Sequence, residues 1–240
     1  MARLLWDQAG EKFYETGVSQ GALYVYDSTA QDPTKVYGPG VVWNGLSAVN
    51  ETPSGAEANK IYADNINYLN LYSAEELGLT IEAYMFPDAF MECDGTAQIV
   101  KGAYVGQQTR KMFGFCFKTI IGNDVDGNDK GYKLHLIYGC KASPSDINYQ
   151  TVNDSPEANN FSWEVTTTPV TIGRVNGRDF NPTSRIIIDS RDFQTEAEKA
   201  ALKDLEDKLF GTDGSGQTAG TDPYLPLPAE VISTLTVSAG

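Results

Sequence analysis

The chain has 240 residues, with 32 acidic side chains against 18 basic ones and a net charge of −14, so a clamp that grips nucleic acid through a basic face is excluded on charge. Apolar residues make up 41% and aromatics 11%, enough for a core and too much for global disorder. No apolar run reaches the length of a bilayer span, so no membrane anchor is expected; residues 1–12 lack the apolar stretch of a signal peptide, and three cysteines, an odd number, argue against a disulfide framework.

Most of the chain reads as strand. Residues 21–26 (GALYVY) are aromatic and branched, and end at Asp27. Residues 36–49 form a long extended run, followed by the polar cluster NETPSG at 50–55, which has turn chemistry. Residues 60–72 return as a second extended run, so 36–72 reads as a long hairpin whose loop spans 50–59. Residues 77–85 alternate, with Leu77, Leu79, Ile81, Ala83 and Met85 on one face. A short helical turn is expected at 87–93, closed by Asp94-Gly95. Residues 112–121 put Phe113, Phe115 and Phe117 on one face. Residues 132–140 do the same with Tyr132, Leu134, Leu136 and Tyr138, and the nine residues between read as a turn. Residues 160–168 alternate Phe161, Trp163 and Val165 with polar partners, and 184–190 is the last clear strand. A helix is expected over 195–210. Thr195 and Glu198 make a capping box, Ala197, Ala201, Leu205 and Leu209 line one face with Leu202, and Gly211 suits the C-cap. Residues 211–222 read as a flexible linker, and the apolar tail packs back as an extended or short helical arm. The expected architecture is a single, mainly antiparallel β-sandwich or barrel with one flanking helix. Its strands should carry one apolar face and one face turned to water.

An active site is hard to assemble from these residues. A nucleophile triad would need His135, the only histidine. By alternation His135 shares a face with Lys133 and Lys141, which makes it a solvent-facing strand residue. Cys93, Cys116 and Cys140 have neither CxxC spacing nor a histidine partner for zinc. The glycines at 214, 216 and 220 follow a helix, so they are linker rather than a dinucleotide loop. Residues 124–129 (DVDGND) echo the start of a calcium loop, but Asp129 stands where glycine is needed and His135 where a bidentate Glu belongs. The expectation is a non-enzyme without cofactor or metal. Charge is segregated: residues 61–95 hold seven acids and no base, whereas 96–121 hold four bases and no acid. This is either two solvated faces or a pair of complementary self-association surfaces. The interface candidates are Asp64, Glu75 and Glu76 against Lys101, Arg110 and Lys111.

Several segments together resemble the major tail protein of long-tailed bacteriophages (siphophages) and prophages of Gram-positive hosts. They are YGPGVVWNGLSAVNETPSGAE (37–57), YADNINYLNL (62–71), TIEAYMFPDAFMECDG (80–95), GQQTRKMFGFC (106–116), IGND (121–124), GYKLHLIYG (131–139) and NDSPEANNFSWEVTTTPV (153–170). The likeness is nearly continuous from about 36 to 170. It is weaker beyond, where only the helix, GTDG (211–214) and LPLPAEVI (225–232) are familiar, and 174–182 has no counterpart. The resemblance implies a virion structural protein, the tail tube subunit. It implies hexameric rings stacked into a tube in the virion tail, assembled in the bacterial cytoplasm with a tape-measure protein and with tail tip and tail terminator proteins. It implies a β-sandwich whose inner sheet joins its neighbours in a barrel around a channel for genome ejection, through which double-stranded DNA passes without specific binding.

On that resemblance the inner sheet is expected to use residues 36–49, 60–72, 77–85 and 160–168. Thr80, Glu82, Tyr84, Ser162, Glu164 and Thr166 would then face the lumen or, alternatively, the outer solvent. Asn50, Glu51, Thr52, Pro53, Ser54, Gly55 and Glu57 are the expected ring-stacking loop. Residues 1–17 and 221–240 are candidate arms on neighbouring subunits. Two other readings stay open: the tube of a contractile tail or injection device, and a carbohydrate-binding β-sandwich with Trp43 or Trp163 as a sugar platform.

Overall fold

The computed structural model describes residues 3–149, 151, 154, 157–175, 177–214 and 219–236. Residues 1, 2 and 237–240 of the two expected arms, residue 176 of the 174–182 insert and Gly216 lie outside them. The strands are β1 (Tyr14–Tyr26), β2 (Tyr37–Trp43), β3 (Leu46–Gly55), β4 (Ala58–Ala63), β5 (Ile66–Tyr72) and β6 (Glu75–Ala83). A 3-10 turn at Asp88–Phe90 and the single-turn helix α1 (Met91–Asp94) follow. Next come β7 (Ala97–Val100), β8 (Ala103–Val105), β9 (Phe113–Asn123), β10 (Gly127–Ala142), β11 (Phe161–Thr167), β12 (Arg174–Val175), β13 (Arg178–Asp179) and β14 (Arg185–Asp189). Helices α2 (Glu196–Phe210) and α3 (Pro228–Leu235) close the described chain.

One eight-stranded antiparallel sheet organises the molecule, in the order β2-β1-β9-β10-β11-β6-β3, with β14 added to β10. Among the described residues no barrel closes, and β2 and β3 are the ends of the strand order. Three two-stranded hairpins stand apart from it: β4-β5, β7-β8 and β12-β13.

The core has two layers because the central strands are buried on both faces. One layer gathers Leu23, Trp43, Leu79, Ile81, Phe90, Phe113, Phe115, Phe117, Trp163 and Val165. The Trp43 ring lies 4.6 Å from Phe90, 5.5 Å from Phe115 and 5.6 Å from Trp163, in tilted and edge-on geometry, the arrangement aromatic quadrupoles favour. Its indole N–H donates to the Met85 carbonyl at 2.9 Å. The second layer lies between the sheet and the helices, and joins Tyr24, Cys116, Leu134, Leu136 and Tyr138 to Leu202, Leu205, Leu209, Leu225 and Val231. Its buried tyrosines keep their hydroxyls satisfied: Tyr24 donates to the Leu209 carbonyl at 2.7 Å and Tyr138 to the Pro226 carbonyl at 2.9 Å.

The capping box of α2 forms as its sequence requires. The Glu198 amide donates to Thr195 Oγ1 at 3.3 Å, and the Thr195 amide donates to Glu198 Oε2 at 2.8 Å. The buried stripe is Leu202, Leu205 and Leu209; Ala197, expected on that face, is exposed.

Four expectations are corrected. Residues 36–49 are not one strand, because the chain turns at Asn44-Gly45 (Gly45 φ +81°) between β2 and β3. Residues 50–55 are not a loop: they form the outer half of β3, paired with β6 from Asn50↔Thr80 to Gly55↔Glu75. Pro53 fits there because β3 pairs on one side only, where a missing amide costs the ladder little. The strands β9 and β10 do not turn one face to water, because α2 and α3 cover it. The apolar tail packs back as the short helical arm expected, α3 lying on α2 of its own chain with Leu225 and Val231 buried, so over its described part it is not the arm on a neighbouring subunit that the resemblance suggested.

Candidate functional site

The polar positions of β3, β6, β11 and β10 fall on one face by register. Ser162 lies opposite Glu82, Glu164 opposite Thr80, and Thr166 opposite Gly78. On the other flank Asn50 lies opposite Thr80 and Ala48 opposite Glu82, while Lys141 pairs with Thr166. Period-two alternation turns the intervening Leu79, Ile81, Trp163 and Val165 inward to the core. Five of the six lumen candidates thus share a continuous surface. The sixth, Tyr84, lies just past the end of β6, half exposed, with its amide donating to the Gly45 carbonyl at 2.9 Å. Glu82 is the hub of this surface. It accepts from Asn50 Nδ2 at 3.3 Å and from Asn160 Nδ2 at 3.1 Å. Glu76, Glu82 and Glu164 oppose Lys141 there, so the face is mildly acidic.

The strands β3 to β6 form one long hairpin with its tip far from the expected 50–59. The β3-β6 ladder continues, past a kink, into the β4-β5 ladder, from Ala58↔Tyr72 to Ala63↔Ile66. The kink falls at Gly55 (φ +81°) and Ala56 (φ +54°); a Cβ on Gly55 would lie 2.3 Å from the Ala74 carbonyl oxygen. The tip is Asp64-Asn65. Both have positive φ, 52° and 66°, the type I′ geometry of two-residue hairpin loops. Asp64, an interface candidate, therefore marks the end of the arm, and Glu57 lies at its base.

Every residue of β5 is exposed, and β4 is exposed except at Ala63. By register one side of the arm carries Ile61, Ala63, Ile66, Leu69 and Leu71; the other carries Tyr62, Tyr72, Lys60, Asn67 and Asn70, with Tyr68 at an irregularity between them. Ile66 is 62% exposed, Leu71 52% and Tyr72 68%. An isolated two-stranded hairpin is marginal in water, and an apolar patch of this kind marks an interaction surface. Sequence reasoning read 60–72 as strand but missed the arm. The signal was there in Asp64-Asn65, a turn dipeptide inside an apolar run.

The chain matches no protein-family model and no curated protein.

Among the described residues the two charge blocks touch at a single ion pair within the subunit, and none of the acidic candidates Asp64, Glu75 and Glu76 takes part in it. Lys111 Nζ lies 2.5 Å from Glu92 Oε2, and Arg110 donates to the Ala142 carbonyl at 3.0 Å. Lys101 and Lys111 are both exposed; Lys101, at the turn of the β7-β8 hairpin beside exposed Ile99 and Val100, makes no ion pair among the described residues. Glu75 and Glu76 lie side by side at the start of β6 and face opposite ways. Glu51 pairs with Arg185 of β14.

His135 is not solvent-facing. It is 7% exposed and stacks on Phe117 at 4.4 Å between ring centroids, because β14 covers its strand with His135 opposite Ile187. Thr119 Oγ1 donates to Glu15 Oε1 at 2.6 Å, so the imidazole Nε2–H, 3.0 Å away, donates to Thr119. Nδ1 has no partner among the described residues. Burial holds the imidazole below its ordinary range, against the pull of Glu15 and Glu51. The acids of 124–129 are engaged in local structure. Asp124 accepts from the Gly10 amide at 3.0 Å and Asp126 pairs with Lys130 at 3.2 Å. Among the described residues no group of three His, Cys, Asp or Glu could hold a metal ion, and no helix is long and apolar enough to cross a membrane. Cys93, Cys116 and Cys140 are free and buried, and burial raises their thiols, Cys93 to about 12. Trp43 and Trp163 are core residues at 2% exposure, so neither offers a sugar platform.

Proposed function

We propose that this protein is a self-assembling tail tube subunit of the siphophage major tail protein type, which forms hexameric rings that stack into a conduit for DNA. The observation that carries the reading is the β4-β5 arm. Thirteen residues of paired strand project with an aliphatic side and a tyrosine side uncovered, and such a surface suits a chain whose working state is an assembly. The rest of the fold supports it. The sheet has terminal strands β2 and β3; the β3 edge, and the part of β2 that the Pro223–Leu225 segment leaves uncovered, are edges that a ring of copies would pair and so protect from aggregation. The mildly acidic face of β3, β6 and β11 suits a channel that must pass DNA without holding it. In this reading the arm replaces residues 50–59 as the contact to the adjacent ring, since head-to-tail contacts between unlike patches build rings and filaments.

Negative-stain microscopy of the purified protein over a concentration series tests this. Hollow rings or tubes of uniform width are expected. A chain that stays monomeric at high concentration across a range of salt overturns the proposal.

A further inference from the structure

The two terminal strands of the main sheet are joined by only two residues. Asn44 and Gly45 carry the chain from Trp43 at the end of β2 to Leu46 at the start of β3. This corner is held from both sides. The Tyr84 amide donates to the Gly45 carbonyl at 2.9 Å, and the Trp43 indole N–H donates to the Met85 carbonyl at 2.9 Å. Beneath it β1 packs so closely that a Cβ on Gly21 would lie 3.0 Å from the Trp43 carbonyl oxygen. Asn44 and Gly45 themselves are exposed. Among the described residues neither the Asn44 carboxamide nor the Gly45 amide makes a hydrogen bond.

A free carboxamide beside a free amide is an electrophile beside a nucleophile, and glycine leaves that nucleophile bare. Asn44 is the one described asparagine that precedes a glycine. Elsewhere the pair is blocked. Asn50 and Asn160 spend their carboxamides on Glu82. Asn123 is 2% exposed and donates to the Gly10 carbonyl at 2.9 Å and to Asp126 at 3.1 Å. Asn59 and Asn65 are exposed, but Lys60 and Ile66 follow them, and those side chains crowd the amide. Asn181 precedes Pro182, which has no N–H to react.

We propose that Asn44 is a site of spontaneous deamidation, a covalent modification that needs only water. The Gly45 backbone nitrogen bonds to Asn44 Cγ as the Cγ–Nδ2 bond breaks. Ammonia leaves, taking the proton of the Gly45 amide, and a succinimide ring closes over the turn. Water then adds to one of the two ring carbonyls, a proton returns to the Gly45 nitrogen, and the carboxylic acid so formed ionises. Nothing is oxidised or reduced. If the Cγ–N bond breaks, the main chain is restored with aspartate at position 44. If the backbone C–N bond breaks, the main chain runs through Cγ as isoaspartate, with an extra methylene between Trp43 and Gly45. Either product adds one negative charge to a chain already at −14. Isoaspartate also lengthens a corner that the Trp43 and Tyr84 hydrogen bonds fix on either side.

The inference is independent of the self-assembly proposed above, because a monomer carries the same corner. Dilute, folded protein is held at neutral and at mildly alkaline pH, digested with trypsin and mapped by mass spectrometry. Asn44, Asn50 and Asn59 share the tryptic peptide 36–60, so fragmentation assigns the residue. Asn44 should gain the mass of an amide-to-acid exchange before Asn59 or Asn65 does. The gain should be faster at the higher pH, because the attacking nitrogen must lose its proton. The peptide should also accept label from an isoaspartyl methyltransferase, and Asn44→Ser should reduce that label to background with the fold intact by circular dichroism. Folded native protein in which Asn44 stays an amide, or converts no sooner than Asn59 and Asn65, overturns the inference and leaves the tube reading standing. A chain that converts at Asn44 yet never leaves the monomer supports this inference and overturns the tube reading alone.

Discussion

The ammonium of Lys111 lies 2.5 Å from the carboxylate of Glu92, a contact between the basic stretch that precedes β9 and the acidic stretch of α1. Both side chains are 55% exposed, and their hydrogen bond raises the Lys111 pKa. An exposed pair of this kind contributes about 0.2–1 kcal/mol. Lys111→Glu should therefore cost under about 1 kcal/mol by urea denaturation, with the fold intact by circular dichroism. Lys101→Glu, at a hairpin turn, should leave the monomer's stability within about 0.5 kcal/mol. If the β7-β8 turn contacts an acidic neighbour, Lys101→Glu should impair assembly more than Lys111→Glu does. Equal effects in sedimentation would remove the charge blocks from the interface.

His135 gives the chain a pH dependence of known sign. Its folded pKa is held below the ordinary 6.5 by burial; protonated Nδ1 would have no acceptor among the described residues. The groups facing it are Glu15 and Thr119, with Lys133, Glu51 and the Phe117 ring close by. Below pH ~6.5 the unfolded chain takes up a proton that the folded chain resists, so stability falls as pH drops from 7 toward 5. This is the only histidine, so that window belongs to it. Glu15 acts lower. Burial raises its pKa, but Lys133 and Thr119 together hold it below 4.5. The stability it contributes is present above that value and is lost as pH falls through its folded pKa. Urea midpoints at pH 7, 6 and 5 should decline for the native chain and stay level for His135→Phe. Parallel declines in the two would show that His135 is not the cause.

The β4-β5 arm separates folding from assembly. Ile61, Leu69 and Leu71 pack on no core of their own subunit, so Leu69→Asp or Leu71→Asp should shift monomer stability by no more than about 0.5 kcal/mol. The same substitutions put a carboxylate where an assembly would bury aliphatic surface, an outcome worth several kcal/mol per contact if unpaired. Tubes should disappear by microscopy while the melting temperature holds. Tubes that form normally with Leu69→Asp and Leu71→Asp combined would show that this side of the arm stays in solvent.

Much of this was legible in the residues. The Thr195–Glu198 capping box announces α2, and clean alternation places β6, β9 and β11 within two or three residues. Local pattern fails where the answer depends on a second layer. His135 alternates like a surface residue, and only the pairing of β10 with β14 and the Phe117 ring bury it. Asn50–Gly55 has turn composition but extends because β6 is there to pair with it. The true tip, Asp64-Asn65, is hidden because tyrosines, isoleucines and leucines on both sides read as one strand. Those same residues are the exposed ones, and apolar composition looks alike whether a side chain is covered by its own chain or awaits another.

The acidic face offers the most direct test of a conduit. Glu164 is exposed and its carboxylate makes no hydrogen bond among the described residues, so Glu164→Lys should fold normally. Glu82→Lys also breaks the bonds from Asn50 and Asn160 and should cost about 1 kcal/mol. Each change moves the face by two charge units, and a ring multiplies that by its number of subunits. Phosphate would then meet a basic wall, and counterion release would favour retention at low salt. Tubes of the double variant should retain linear double-stranded DNA at ~50 mM salt and release it at ~200 mM, while native tubes retain none at either. If tubes form and DNA passes through both kinds alike, the β3-β6-β11 face lies on the outside of the tube.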